Sequence, residues 1–237
     1  MQKENKLSVF DWLCIYVGNV ALVNWFVRTQ IYPSNWIASL LPGGVTEVNL
    51  LFVHEILQAA LIIGGVVLFL WLRGRSMVHI GWQSPQNAQD YVSAVVLGVL
   101  TCSFMLMVSS VLAQLFPQWA TTQDVVSTAL QVDTSWGILA AFLAVGILAP
   151  LCEELLFRGY LYHAVRNKCG TVLSVVITSL LFALVHGQWF QLFPLFMAGV
   201  FLNWFYVRSQ SLIATIVMHS AWNTFSLFLV VYFRLAV

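Results

Sequence analysis

The sequence is divided by apolar stretches, each about as long as a bilayer is thick. They run over roughly Val9–Val27, Asn49–Leu72, Tyr91–Phe116, Trp136 through the paired glutamates at 153 and 154, Thr171–His186, Trp189–Val207 and Leu212–Phe233. About 20 apolar residues cross the hydrocarbon as a helix. Lipid offers the backbone no hydrogen bonds, so such runs must satisfy their own N–H and C=O groups, which a helix does. The expectation is an all-α fold: a polytopic membrane bundle of about seven helices. Charge agrees, since 8% of the residues are Asp, Glu, Lys or Arg, against about 25% in a soluble domain. Residues 76–90 and 117–135, the latter with Asp124 and Asp133, are polar connections, the second with room for a short surface helix. No repeat divides the chain, and residues 1–237 are taken as one membrane domain.

The basic residues give an orientation. With the N-terminus inside, Lys3, Lys6, Arg73, Arg75, Arg158, Arg166, Lys168 and Arg208 fall on or near the cytoplasmic side, and Arg28 and Arg234 fall outside. That is the bias bacterial and other membranes impose. The first apolar run carries Asp11 and has no small-residue cleavage site near Arg28, so it is read as a retained span. A net charge of +1 without a basic patch excludes a nucleic-acid partner. Cys14, Cys102, Cys152 and Cys169 have no CxxC spacing and read as buried small hydrophobes.

An ionisable side chain within a span is costly, and so marks function by default. Three clusters stand out. "EELLFR" at 153–158 sets Glu154 and Arg158 four apart, on one helix face, with Glu153 turned away by about 100°. "FALVH" at 182–186 ends an apolar run on His186, which alone is more often a structural hydrogen-bonder. "HSAWN" at 219–223 puts His219 and Asn223 on one face of the last run. Helix rise permits the three to meet if helices tilt or the chain bends at Gly159. Elsewhere, "HEILQ" at 54–58 fails the zincin pattern because residue 58 is Gln, and His54 and Glu55 read as polar residues near a helix start. Asp11 reads as interfacial, "YHAVRNK" with His163 and Arg166 as a cytoplasmic anchor, and "NWFYVR" at 203–208 as part of an aromatic belt.

Together the clusters make a hydrolytic set. Glu153 would take a proton from water, and His186 would position that water. His219 and Asn223 would donate hydrogen bonds to the oxyanion, while Glu154 and Arg158 lock the helix. No Ser or Cys sits in such a cluster as a nucleophile, and Cys152 has no required role. Glu153, His186 and His219 could also hold a divalent metal such as zinc. A proton-coupled transporter uses the same residue types, although the polar clusters all lie after residue 150 rather than in two repeated halves. A scaffold or immunity protein is the other alternative.

The three motifs in this order resemble the EExxxR, FxxxH and HxxxN signatures of the CPBP family, the CAAX prenyl proteases and bacteriocin-processing enzymes also called Abi. The glycine after Arg158 and that of "FMAG" at 196–199 are similar too. The resemblance covers about residues 135–225, the expected catalytic core. It implies an intramembrane endopeptidase in which the residues matching Glu153 and His186 activate water and those matching His219 and Asn223 stabilise the oxyanion. The family label is metalloprotease, and its members are also described as glutamate proteases. Prenyl proteases of the family have eight spans, one more than is read here. The implied setting is a bacterial inner (plasma) membrane, and the implied partner is a membrane-embedded peptide or protein substrate.

Overall fold

In the computed structural model, residues 7–26, 29, 39–120, 132 and 134–235 are described. Long helices dominate: α1 (Val9–Phe26), α2 (Glu47–Leu72) and α3 (Gln89–Leu115), then α4 (Ser135–Ala141), α5 (Ala149–Glu154), α6 (Tyr162–Val185), α7 (Leu192–Ser209) and α8 (Leu212–Leu235). Among the described residues there is no strand. Thr46 starts α2 by accepting from the Asn49 N–H at 3.1 Å, and Thr134 starts α4 by accepting from the Gly137 N–H at 3.0 Å. Each hydroxyl satisfies an amide that a helix start would leave unpaired.

Six continuous helical runs are long and apolar enough to cross a membrane, and one of them carries two of the seven expected spans. The fourth and fifth expected spans are one run of 51 residues, Ser135–Val185. At 1.5 Å per residue it would reach about 76 Å, more than twice the hydrocarbon thickness, so it has to turn. The turn is at Gly170, with φ 76° and ψ 176°, a conformation open to glycine. It is not at Gly159, which stays helical. Two π-helical turns, Phe142–Leu148 and Leu155–Leu161, bracket the six residues of α5. The first has a local cause. Pro150 lacks an N–H, and its ring would crowd the carbonyl four residues back, at Gly146, in an ordinary helix. The wider turn relieves that crowding.

α3 lies along α8, and the close point is Gly98. A Cβ there would strike the Met218 carbonyl oxygen and lie 2.8 Å from Ala221 Cβ. α6 and α7 are joined by polar contacts. Asn203 donates to Ser179 Oγ at 3.0 Å and accepts from Thr178 Oγ1 at 3.3 Å, the amide glue expected between membrane helices.

Several surface readings are corrected by burial. Asp11 is 1% exposed: Arg73 grips it with two nitrogens at 2.7 and 2.9 Å, and Tyr160 donates to it at 2.9 Å. In "NWFYVR", Asn203, Phe205 and Tyr206 are buried and Trp204 is half exposed. His163 is no simple anchor, since its Nε2 meets the Tyr206 hydroxyl at 2.7 Å. Arg158 is fully buried and belongs to the interior rather than the basic end. Cys102 and Cys152 are buried as expected, but Cys14 and Cys169 are exposed, one on the outer face of α1 and the other beside the Gly170 turn. Lys3, Lys6, Arg28, Asp124 and Asp133 lie outside the described residues, as does most of the segment expected to hold a surface helix.

The basic end is held as a unit. The α7–α8 turn bonds to the α2–α3 connection through the Leu212 N–H to the Gly81 carbonyl at 2.7 Å and Ser211 Oγ to the Gln83 carbonyl at 2.6 Å. Arg208 faces Asp90 at 3.7 Å. With the ends fixed there, the helices can hold polar groups in register deeper within the bundle.

Candidate active site

Adjacent on α5, the two glutamates point about 100° apart around the helix axis. Glu154 and Arg158 point into the protein and are both fully buried. Arg158 Nη1 donates to Glu154 Oε1 at 2.8 Å, and Arg158 Nη2 donates to the Gly199 carbonyl at 3.0 Å. The guanidinium carbon lies 4.8 Å from the centre of the Phe182 ring. Charge, hydrogen bonds and a ring face therefore replace water around the arginine's two terminal nitrogens, while Nε has no hydrogen-bond partner among the described residues.

His219 joins this pair from α8. Its Nδ1 is 2.7 Å from Glu154 Oε1. That oxygen already accepts from Arg158, so it acts as a carboxylate acceptor, and Nδ1 carries the proton. The ring stacks on Trp222 at 5.0 Å and 16°. His186 is set in a similar way. Gly187, at φ 67°, ends the helix just beyond it, and its Nδ1 is 2.7 Å from the Phe182 carbonyl. A carbonyl only accepts, so Nδ1 donates here as well. In both neutral rings the lone pair is then on Nε2.

Both lone pairs face Glu153. Its Oε2 lies 3.8 Å from His219 Nε2 and 4.0 Å from His186 Nε2. These gaps are too long for a direct hydrogen bond and suit a bridging water. A water about 2.8 Å from two such atoms subtends about 90° between them. Glu153 Oε2 has no hydrogen-bond partner among the described residues, and the side chain is 24% exposed. Asn223, one turn beyond His219, donates one amide hydrogen to the Val145 carbonyl at 2.9 Å and keeps the second.

Glu153, His186, His219 and Asn223 all line one cavity of about 390 Å³. The sequence motifs are thus brought together, with Glu154 and Arg158 directly behind them. Sequence reasoning missed two features. One is the bond from His219 to Glu154, which motif spacing does not encode. The other is Glu55. It is buried, at 8% exposure, and lines the cavity with Gln58, so it is not simply a polar residue at a helix start. Its one signal was a carboxylate inside an apolar run.

Glu153, His186 and His219 are zinc-ligand types. Around a zinc ion, however, neighbouring donor atoms would stand about 3.4 Å apart, closer than the gaps observed. Among the described residues, no three His, Cys, Asp or Glu side chains are placed to hold a metal ion.

Residues 135–225 match the family model described as type II CAAX prenyl endopeptidase Rce1-like. The chain is 37% identical over 89 residues to UPF0177 protein YxdF of Lactococcus lactis, covering 37% of this chain and 49% of that protein. It is 36% identical over 95 residues to an uncharacterized 24.3 kDa protein of Escherichia coli, covering 38% and 44%. It is 32% identical over 88 residues to the membrane-embedded CAAX protease MroQ of Staphylococcus aureus, covering 34% and 35%. The matched stretch spans half or less of each of these relatives. No solved structure matches the chain. The resemblance read from the three motifs is therefore shown for residues 135–225, in which all of them lie.

Proposed function

From an Rce1-like domain over residues 135–225, we propose an intramembrane endopeptidase that hydrolyses a peptide bond with water activated by Glu153. The observation that supports it most is the meeting of Glu153 Oε2 with two Nε2 lone pairs, 3.8 and 4.0 Å away, in a cavity inside a membrane bundle. Water donates to Glu153 Oε2 and to an imidazole. Its oxygen attacks the peptide carbonyl carbon as Glu153 takes the proton. The carbonyl oxygen becomes an oxyanion, and the amide hydrogen that Asn223 keeps is the donor available to it from the outset. His219 donates from Nε2 only with both ring nitrogens protonated. The C–N bond then breaks, and Glu153 returns its proton to the leaving nitrogen.

His186 holds the water, through a ring fixed by the Phe182 carbonyl. Glu154 and Arg158 position His219 without touching the reacting atoms. No step needs a metal. Active protein is expected to contain less than one zinc per chain, and activity is expected to survive exhaustive chelation. One tightly held zinc, with activity lost on its removal and restored on its return, would overturn this part of the mechanism.

The substrate class is a membrane-embedded peptide or protein, either with a CAAX end, as the name of the staphylococcal relative suggests, or a peptide undergoing maturation. The setting is a bacterial inner membrane with the basic end cytoplasmic. The test compares membrane peptides from cells carrying wild-type protein with those from cells carrying Glu153→Gln, which keeps shape and loses the base. Peptides cut only in the wild-type cells are expected. A scaffold would show none and would keep its partners in the variant. A transporter would lose solute flux instead.

A further inference from the structure

Three acidic side chains are buried among the described residues: Asp11, Glu55 and Glu154. Arg73 pairs with Asp11 and Arg158 with Glu154. Glu55 has neighbours of another kind. Gln58 donates its amide nitrogen to Glu55 Oε2 at 3.3 Å, and His54 Nδ1 lies 3.4 Å from Oε1. Both contacts are long and come from its own helix, and His54 carries charge only when protonated. His54 is not part of the cavity wall, whereas Glu55 and Gln58 are. Asn19 of α1 donates to the Gln58 backbone carbonyl at 3.1 Å, which fixes this stretch of α2 against its neighbour.

The wall they help to form has a distinct charge. It contains two carboxylates, Glu55 and Glu153, and no lysine or arginine. The other titratable groups on it are His186, His219 and the Cys102 thiol. Both Nε2 atoms are turned to Glu153, and neither ring pairs with Glu55 among the described contacts. A carboxylate inside a bilayer protein is costly without a positive partner. A donor of positive charge that enters with the ligand would supply such a partner. Gln58 extends this logic. Its amide nitrogen is committed to Glu55, which leaves its carbonyl oxygen as a second acceptor. A carboxylate and an amide oxygen suit an ammonium or guanidinium, which only donate.

We propose that Glu55 and Gln58 form a subsite for a basic side chain, lysine or arginine, of the peptide that enters the cavity. This rests on the endopeptidase reading of the same cavity for its ligand class. The subsite lies on α2, outside residues 135–225, so substrate choice is set by a part of the chain that the catalytic motifs do not reach. A peptide with a positive charge near the bond to be cut would be oriented by Glu55 while Glu153 acts in the same cavity.

The test uses the full chain in phosphatidylcholine nanodiscs, a neutral lipid that does not itself attract lysine. The probes are fluorescent apolar 12-residue peptides carrying one lysine, moved a position at a time, each matched to a peptide with norleucine in its place. Anisotropy gives binding, and product analysis gives kcat/KM where cleavage occurs. At one or two positions wild-type protein is expected to favour lysine by about 10- to 100-fold, the range of a hydrogen bond to a charged group. Glu55→Gln should bring that ratio close to one, and Glu55→Asp, which keeps the charge, should restore part of it. Equal binding of the matched peptides to wild-type protein, at any affinity down to none, overturns the subsite. So does a ratio that survives Glu55→Gln. Cleavage without any lysine preference would sink the subsite and leave the endopeptidase standing. Lysine preference without cleavage would do the reverse.

Discussion

Glu153 and Glu154 are neighbours in sequence and opposites in structure. Glu154 faces a sealed region, where Arg158 and His219 share one of its oxygens and none of the side chain is exposed. Glu153 lines the cavity, with 24% of its side chain exposed. Oε2 of both glutamates lacks a hydrogen-bond partner among the described residues, but among them no arginine or histidine bonds to the other oxygen of Glu153. Partners, not residue type, separate structural charge from reactive charge. A carboxylate held by an arginine and a histidine in a sealed region is a strut, and one that lines a cavity without such donors is a base. His219 belongs to both regions, with Nδ1 in the sealed side and Nε2 in the open one. Any change behind the wall is therefore felt at the cavity.

The largest expected effects separate the two glutamates. Glu153→Gln should lower turnover by about 10²–10⁴-fold, the usual share of a general base, and leave thermal unfolding in nanodiscs nearly unchanged. Glu154→Gln should lose stability as well as turnover, by about 3–5 kcal/mol, because the fully buried Arg158 would lose its charge partner. If both variants unfold alike, the contrast between strut and base fails. A smaller loss, about 10²–10³-fold in kcat, is expected for His219→Ala and for Asn223→Ala. The bond between His219 and Glu154 sharpens this. Adding His219→Ala to Glu154→Gln should cost much less turnover than the two single losses together, since the second group acts through the first. Full additivity would show that Glu154 does not position His219.

Much of this was legible in the sequence. Apolar runs give the bundle because lipid leaves helices as the answer, and the three motifs name the side chains that meet. What was not legible depends on turns and partners. The sequence has a polar stretch at 163–169 but no sign that it stays helical until Gly170, so the bend was expected at Gly159, although the second leg does begin at Thr171. The Asp11, Arg73 and Tyr160 knot joins residues up to 149 apart, beyond any local pattern, and so Asp11 read as interfacial. Glu55 was set aside because "HEILQ" lacks a second histidine. Its role depends on sharing a cavity with the motif residues, which spacing along α2 cannot reveal. The choice of ring nitrogen was hidden too, being fixed by the Phe182 carbonyl and the Glu154 carboxylate.

The smallest expected effect lies at the basic end, where a second buried ion pair gives a control for the first. Asp11 is as enclosed as Glu154, but Arg73 is about one third exposed. Removing the Asp11 charge leaves an arginine that can turn to water, unlike Arg158, which has nowhere to go. Asp11→Asn should therefore lower stability by only about 1 kcal/mol, within the range for a hydrogen bond. Glu55 lies 18 residues before Arg73 on α2, about 27 Å along the helix, so the cavity is remote from this knot. Turnover should stay within a few-fold of wild type. Thermal unfolding and turnover of Asp11→Asn beside Glu154→Gln measure the difference. Equal losses of stability would mean that access of the arginine to water does not decide what a buried carboxylate is worth in this protein. A large loss of turnover for Asp11→Asn would mean that the basic end and the cavity move as one.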